Sequence, residues 1–216
     1  MGFATISKLL MILILPFLIF LLVLNLIGFD RQFYQQKFFQ YGVGKNISSA
    51  ASLHSGVVDF IKGKANELPS EFGERERQHL LDVRKVINIS TIVLYALIIL
   101  FTLLLIMSIF TLKINNLITN FVGKILVFGG FLTLALAAIL FLLINLDFPL
   151  TFESFHGLLF EKGTYVFDPA KEMLVKLYPE QVFMDLGIRI SKLTLIGSAI
   201  IILTGTLLLI KSKKQK

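Results

Sequence analysis

No cysteine occurs anywhere in the 216-residue chain. That absence excludes a disulfide framework, a thiolate metal site and a cysteine nucleophile together. Histidine is scarce: His54, His79 and His156 are the only imidazoles available for proton transfer. The chain has no Gly-x-Ser-x-Gly elbow, no phosphate-binding loop, no dinucleotide fingerprint and no His-Glu-x-x-His pair, so the common serine-hydrolase, nucleotide and zinc-protease chemistries lack their motifs. Ser154 stands two residues before His156, which by itself does not make a nucleophile. There is no internal repeat and no low-complexity stretch.

What the chain has instead is apolar length. Apolar residues make up 56% of it and the mean hydropathy is +0.81, values that do not suit a soluble protein. Four uncharged runs lie between Lys8 and Asp30, Lys85 and Lys113, Lys124 and Asp147, and Lys192 and Lys211. Each exceeds or approaches the roughly 20 helical residues that cross a hydrocarbon core of about 30 Å. The expected class is an all-α integral membrane protein forming one membrane domain over residues 1–216, with spans at about 9–29, 87–112, 125–146 and 193–210. The first run starts like a signal sequence but no small-residue cleavage pattern follows it, so it reads as a retained helix, with Pro16 marking a kink.

Charge orients the spans. The N-terminal stub, the turn between the second and third spans and the C-terminal tail carry Lys8, Lys113, Lys124, Lys211, Lys213, Lys214 and Lys216 and no acidic residue, whereas the two longer connections hold 14 basic and 14 acidic residues. The formal charge of +7 therefore belongs to the short segments, which the positive-inside rule assigns to the cytoplasm. Lysines scattered over two termini and one turn are not a nucleic-acid patch. The expected arrangement is a cell-membrane protein with both termini cytoplasmic and an extracellular cap of two segments, about 30–86 and 147–192. Transport is the least expected activity, because the spans hold almost no ionisable residue at mid-depth.

The cap is rich in aromatics. Phe29, Phe33, Tyr34, Phe38, Phe39 and Tyr41 crowd its first segment, and Phe148, Phe152, Phe155, Phe160, Tyr165, Phe167, Tyr178 and Phe183 its second. A small core would use half of these; a cap lying on the bilayer would use all, and that is the expectation here. Helices are expected near 31–41, 48–62, 72–87 and 169–178, with 66–73 a turn around Pro69 and Gly73. His54, among Ser48, Ser49, Ser52 and Ser55, reads as a surface residue.

Two stretches hold candidate chemistry. On a helix Glu76, His79 and Asp82 are three apart, which lets carboxylates flank and orient an imidazole; the plainer reading is a charged helix face. His156 lies beyond the third span among aromatics, where an interfacial histidine with a wet tip is the plainer reading. Together they say more: the second and third spans form a hairpin that returns both imidazoles to one interface, as an acid–base pair would require. His79 and His156 with Asp82 and Asp168 lack recognised metal spacing, and no cofactor is called for. Two other readings remain: a non-catalytic cap that binds a lipid or a partner, and a metal-dependent lipid hydrolase.

The residues Glu76-x-x-His79-x-x-Asp82-Val83 ahead of a span, and His156 followed by Phe160, Gly163, Tyr165, Phe167-Asp168-Pro169 and Tyr178-Pro179-Glu180, resemble the two hallmarks of the bacterial lipoprotein intramolecular transacylases. The resemblance extends over the whole chain in length, span number and motif order. One departure is Tyr165, where that family often has tryptophan; tyrosine keeps a large ring with a polar tip.

The resemblance implies an acyltransferase whose partners are membrane lipid and diacylglyceryl-modified lipoproteins. Such enzymes move the sn-2 acyl chain of the modified N-terminal cysteine onto that cysteine's own α-amino group, giving a lyso-form lipoprotein. It also implies that His79 and His156 are catalytic, supported by Glu76, Asp82, Tyr165 and Asp168, with Phe155, Phe160 and Phe167 as substrate walls. The expected division makes His79 the base, through its two carboxylates, and His156 the acid or oxyanion partner, a pairing whose pH–rate profile has a basic limb. Tyr95 and Tyr165 are candidate oxyanion donors.

Overall fold

The computed structural model describes residues 2–214, and among these the secondary structure is helical throughout. In chain order the helices are α1 (Phe3–Ile27), α2 (Arg31–Gln40), α3 (Val43–Asn46), α4 (Ala50–Ile61), α5 (Glu74–Leu112), α6 (Asn115–Leu146), α7 (Phe148–Leu159), α8 (Met173–Leu177) and α9 (Glu180–Lys214). Four of them, α1, α5, α6 and α9, are long and apolar enough to cross a membrane. The protein is a multi-pass membrane protein.

The chain divides into two compact units. The span unit takes the chain up to Asn25, residues Ile92–Leu142 and the chain from Arg189 onward. Small residues set its packing. A Cβ built on Gly123 would stand 3.1 Å from the Gly205 carbonyl and 2.8 Å from Leu209, and one on Gly205 would stand 2.9 Å from the Gly123 carbonyl. α6 and α9 therefore touch backbone to backbone, which only residues without side chains allow. At Gly129 the space is taken by the Leu15 side chain, which a Cβ would meet at 2.7 Å. Met11, Phe121 and Ile125 form a buried knot, and Ser7 and Ser108 share a 2.7 Å hydrogen bond with both hydroxyls removed from outside contact. Leu13, Phe17, Ile99 and Leu203 face outward, as expected where lipid rather than water is the solvent.

The cap unit gathers Leu26–Thr91 and Leu143–Ile188. Its core is built by the amphipathic face of α4 (Leu53, Val57, Phe60, Ile61) against Phe33, Tyr34 and Phe38 of α2, Phe72, Leu80 of α5, and Leu177, Tyr178 and Val182. The aromatics of the first segment thus mostly serve an ordinary core, with Phe39 the one that stands out at 88% exposure. Asp30 caps α2 through the amides of Gln32 and Phe33. His54, expected on the surface, is 2% exposed: it sits on the inner face of α4, with Nδ1 2.9 Å from the Tyr178 hydroxyl and its ring 4.2 Å from that of Tyr34. The serines around it made the segment look polar, but helical periodicity places His54 with Leu53 and Val57 on the buried side.

α7 falls in a stretch where the sequence predicts no helix. It is started by Asp147, whose carboxylate accepts the Leu150 amide, with Pro149 in the first turn. Both are standard N-terminal signals, obscured by the low helix propensity of the aromatics, threonine and glycine that follow.

Candidate active site

Two elements of the cap bring the imidazoles together. His79 stands on the second turn of α5, and His156 on the last turn of α7. Their rings stack at 6.2 Å between centroids and 24° between planes. Phe160 bridges them, 4.9 Å from His79 and 5.6 Å from His156. Phe167 closes on His79 at 5.5 Å; Phe152, Phe155 and Tyr165 surround His156 at 4.1, 5.5 and 5.2 Å. The Tyr165 hydroxyl lies against Gly157, where a Cβ would approach it to 3.5 Å. The result is an aromatic box around two stacked rings.

The two rings are held differently. His156 Nδ1 is 2.8 Å from the carbonyl of Phe152, one turn back on α7. A carbonyl only accepts, so Nδ1 carries the hydrogen, and in the neutral ring Nε2 carries the lone pair. His79 has no such tether: its Nδ1 is buried with no partner. A buried polar nitrogen left unpaired costs about 1–3 kcal/mol.

Burial also fixes charge. Removal from water pushes His79 down to about 4, with His156 adding to the shift and the Asp82 carboxylate opposing it. His156 is likewise lowered by burial, partly offset by its bond to the Phe152 carbonyl. Both rings are therefore neutral around pH 7, the form that can accept at one nitrogen and donate at the other.

Of the residues singled out in the sequence, His79, His156, Phe155, Phe160, Tyr165 and Phe167 meet in this box. Three carboxylates do other work. Asp82 pairs with Lys85 at 2.9 Å and reaches His79 only through its field. Asp168 caps its own turn, accepting from the Ala170 amide and pairing with Lys171 at 3.3 Å. Glu76 is buried but spends both oxygens on backbone, one on the Gly73 amide at 2.6 Å and the other on the Leu174 amide. Tyr95 belongs to the span unit and is 62% exposed. Among the described residues, no three His, Asp or Glu side chains converge as a metal site would require.

Sequence reasoning missed Phe152, whose ring and carbonyl both contact His156. The signal was its position four residues before His156, meaningful only on a helix that the sequence reading did not contain. It also missed Arg75, whose guanidinium reaches the Val166 carbonyl at 2.9 Å, pairs with Glu172 at 3.2 Å and lies over the Phe167 ring.

The comparisons with known proteins agree on one family. Residues 9–183 match the family model described as lipoprotein intramolecular transacylase Lit. Among solved structures, the membrane-integral lipoprotein intramolecular transacylase Lit from Bacillus cereus superposes with a TM-score of 0.84 at 23% identity, covering 99% of this chain and 98% of that one. A histidine-substituted form of the same enzyme superposes with a TM-score of 0.79 at 21% identity, covering 99% and 95%. No curated protein matches the sequence. The family model spans far more than half of the chain, and the chain belongs to the lipoprotein intramolecular transacylases.

Proposed function

We propose that His156 and His79 carry out the transfer, with roles opposite to those their sequence neighbours imply. The substrate is a lipoprotein whose N-terminal cysteine bears a diacylglyceryl thioether; its α-amino nitrogen attacks the sn-2 ester carbonyl. A free α-amino group has a pKa of about 8, so a fraction is already neutral near pH 7. Once the nitrogen bonds to the carbonyl carbon it becomes far more acidic. The lone pair on His156 Nε2 then takes its proton and returns it to the glyceryl oxygen as the C–O bond breaks. His79, kept neutral by burial and by its charged neighbour in that step, donates an N–H hydrogen bond to the oxyanion. The amide and the free glyceryl hydroxyl balance the atoms, and no covalent enzyme intermediate is needed.

The attacking nitrogen and the acyl carbon close an eight-membered ring through sulfur and glycerol. Flexible chains rarely adopt such a ring, so holding the folded headgroup supplies much of the rate. Phe155, Phe160, Phe167 and Tyr165 are the walls that hold it, and the Tyr165 hydroxyl is a second oxyanion donor. Residues 9–29, 87–112, 125–146 and 193–210 are the spans, about 30–86 and 147–192 the cap, both termini are cytoplasmic and the site is on the outer face, as the lysine distribution indicates.

The observation that carries this division is the His156 Nδ1 to Phe152 carbonyl bond. The experiment is the pH–rate profile of purified protein on a diacylglyceryl lipopeptide, with histidine variants. Two neutral imidazoles predict a rate that rises from acid and stays level at high pH. A falling basic limb near pH 7–8 would restore the alternative, in which a protonated imidazole is the acid.

A further inference from the structure

Glu76 sits at the third residue of α5, three after Gly73, which precedes the helix. A glutamate at this position reaches back to the amide at the helix entry, the second half of a capping box, and the 2.6 Å bond to the Gly73 amide is that contact. Gly73 leaves room for it: a Cβ there would stand 3.4 Å from the carboxylate. The unusual part is the other oxygen, which accepts from the Leu174 amide, 98 residues away and in the opposite segment of the cap.

The next residue back makes the same crossing on the outside. Arg75 holds the Val166 carbonyl at 2.9 Å, the Gly163 carbonyl at 3.5 Å and Glu172 at 3.2 Å, while Glu172 accepts the Asp168 amide. Between those attachment points run Tyr165 and Phe167, the rings that face His156 and His79. Gly163, with φ of 88°, turns the chain where this loop begins. The neighbouring polar side chains of α5 are engaged elsewhere: Arg77 grips the preceding carbonyls of Leu68, Pro69 and Phe72, and Asp82 is taken by Lys85.

We propose that Glu76 and Arg75 are positioning residues, clamping the loop of residues 160–174 onto the helix that bears His79 so that Tyr165 and Phe167 wall the substrate headgroup. Glu76 is the buried inner hold and Arg75 the exposed outer one. The carboxylate acts on the reaction through backbone, not by orienting the His79 ring. This rests on the reading of the histidine pair as the reacting centre.

The cysteine-free chain allows a single reporter. A spin label on Lys162→Cys, an exposed loop position, reads loop order, and one on exposed Lys64→Cys reads the connection that follows α4 in the other segment of the cap. Glu76→Gln is expected to lower kcat at least tenfold with less than a threefold change in KM, and to loosen the label at 162 but not at 64. The acid limb of the pH–rate profile should stay in place. Arg75→Ala, an exposed change that threatens folding little, is expected to loosen the same label and lower kcat severalfold; Glu76→Asp should fall between Glu76→Gln and the native chain.

A Glu76→Gln enzyme within twofold of native would overturn the clamp. So would a rate loss accompanied by a shifted acid limb and an ordered loop, which would return Glu76 to His79. Loosening at both labels in both variants would show a general fold role and overturn it as well. Loop order is read without turnover, so the clamp can fail while His79→Ala and His156→Ala still abolish transfer, and the histidine reading can fail while the loop still loosens.

Discussion

In the span unit Gly123 and Gly205 remove side chains so that two helices meet at their backbones; in the cap, Phe72, Tyr34, Phe38, Tyr178 and Leu177 fill the interior with large ones. Polar groups differ in the same sense. The buried hydroxyls of Ser7 and Ser108 satisfy each other between helices, while the cap buries the imidazoles of His54 and His79 and the carboxylate of Glu76 among rings and backbone amides and half-buries His156. Where the solvent is hydrocarbon, tight packing and mutual hydrogen bonding suffice. Where chemistry is required, a protein must bury titratable groups and hold them with a core that water helps to assemble. The two units should therefore fail differently.

The largest effect is expected at the histidine pair, and it should leave both units folded. His156→Ala should lower the transfer rate by about 10²–10⁴, the range for a general base. His79→Ala should cost about 10²–10³, typical of a lost oxyanion donor. His79→Gln, which keeps a neutral N–H, should recover part of that rate in a lipopeptide assay, whereas His156→Gln should recover none. Equal behaviour of the two glutamine variants would contradict the division of roles.

Phe72→Ala comes next. It removes a ring that is 2% exposed at the centre of the cap, for a loss of about 3–5 kcal/mol. Limited proteolysis in detergent should cut residues 26–91 in this variant while the span helices stay protected.

Acid should also act on the cap first. His54 is lowered by burial to about 4, with Arg31 contributing, against about 6.5 in an unfolded chain. A base whose native pKa is depressed contributes stability that is complete above about pH 6.5 and is lost as pH falls toward 4. The loss is on the order of 2–3 kcal/mol for His54 alone. His54→Leu should unfold at lower temperature at pH 7.5, because it strands the Tyr178 hydroxyl, yet lose less on moving to pH 5. Parallel melting curves for the two proteins at both pH values would refute this.

Gly205→Val tests the span unit. Overpacking costs about 1–3 kcal/mol, and the melting temperature in detergent should fall without a change in the pH–rate profile. Arg31→Ala, which removes an exposed pair with Asp59 at 3.2 Å, should move stability by less than about 1 kcal/mol.

The same contrast explains what the sequence disclosed. Spans are legible because hydrocarbon permits only uninterrupted apolar helices, and the four helices long and apolar enough to cross a membrane, α1, α5, α6 and α9, fall on the four runs read from composition. In the cap, composition misled at particular places. Ser48, Ser49, Ser52 and Ser55 made His54 look exposed, although period and burial place it inside. The i,i+3 spacing placed Glu76 beside His79, but an unpaired amide at the helix start competes for a carboxylate and wins. α7 was hidden because aromatic packing, not propensity, sustains it, and with it went Phe152, the tether that sets the His156 tautomer. The two histidines and their rings were legible as residue types in order; their stacking and their separate hydrogen bonding depend on contacts 77 residues apart in sequence.

The most direct test of the account is a crossover experiment with purified protein. Two diacylglyceryl lipopeptides are mixed, one with deuterated acyl chains on a light peptide, the other with ordinary chains on a heavy peptide. The N-acyl products are then fragmented by mass spectrometry. Intramolecular transfer at the histidine pair predicts that each peptide keeps its own chain on nitrogen and one on glycerol at unchanged total mass, and that His156→Ala leaves both substrates untouched. Mixed products would contradict the intramolecular path, and full transfer by His156→Ala would contradict the site.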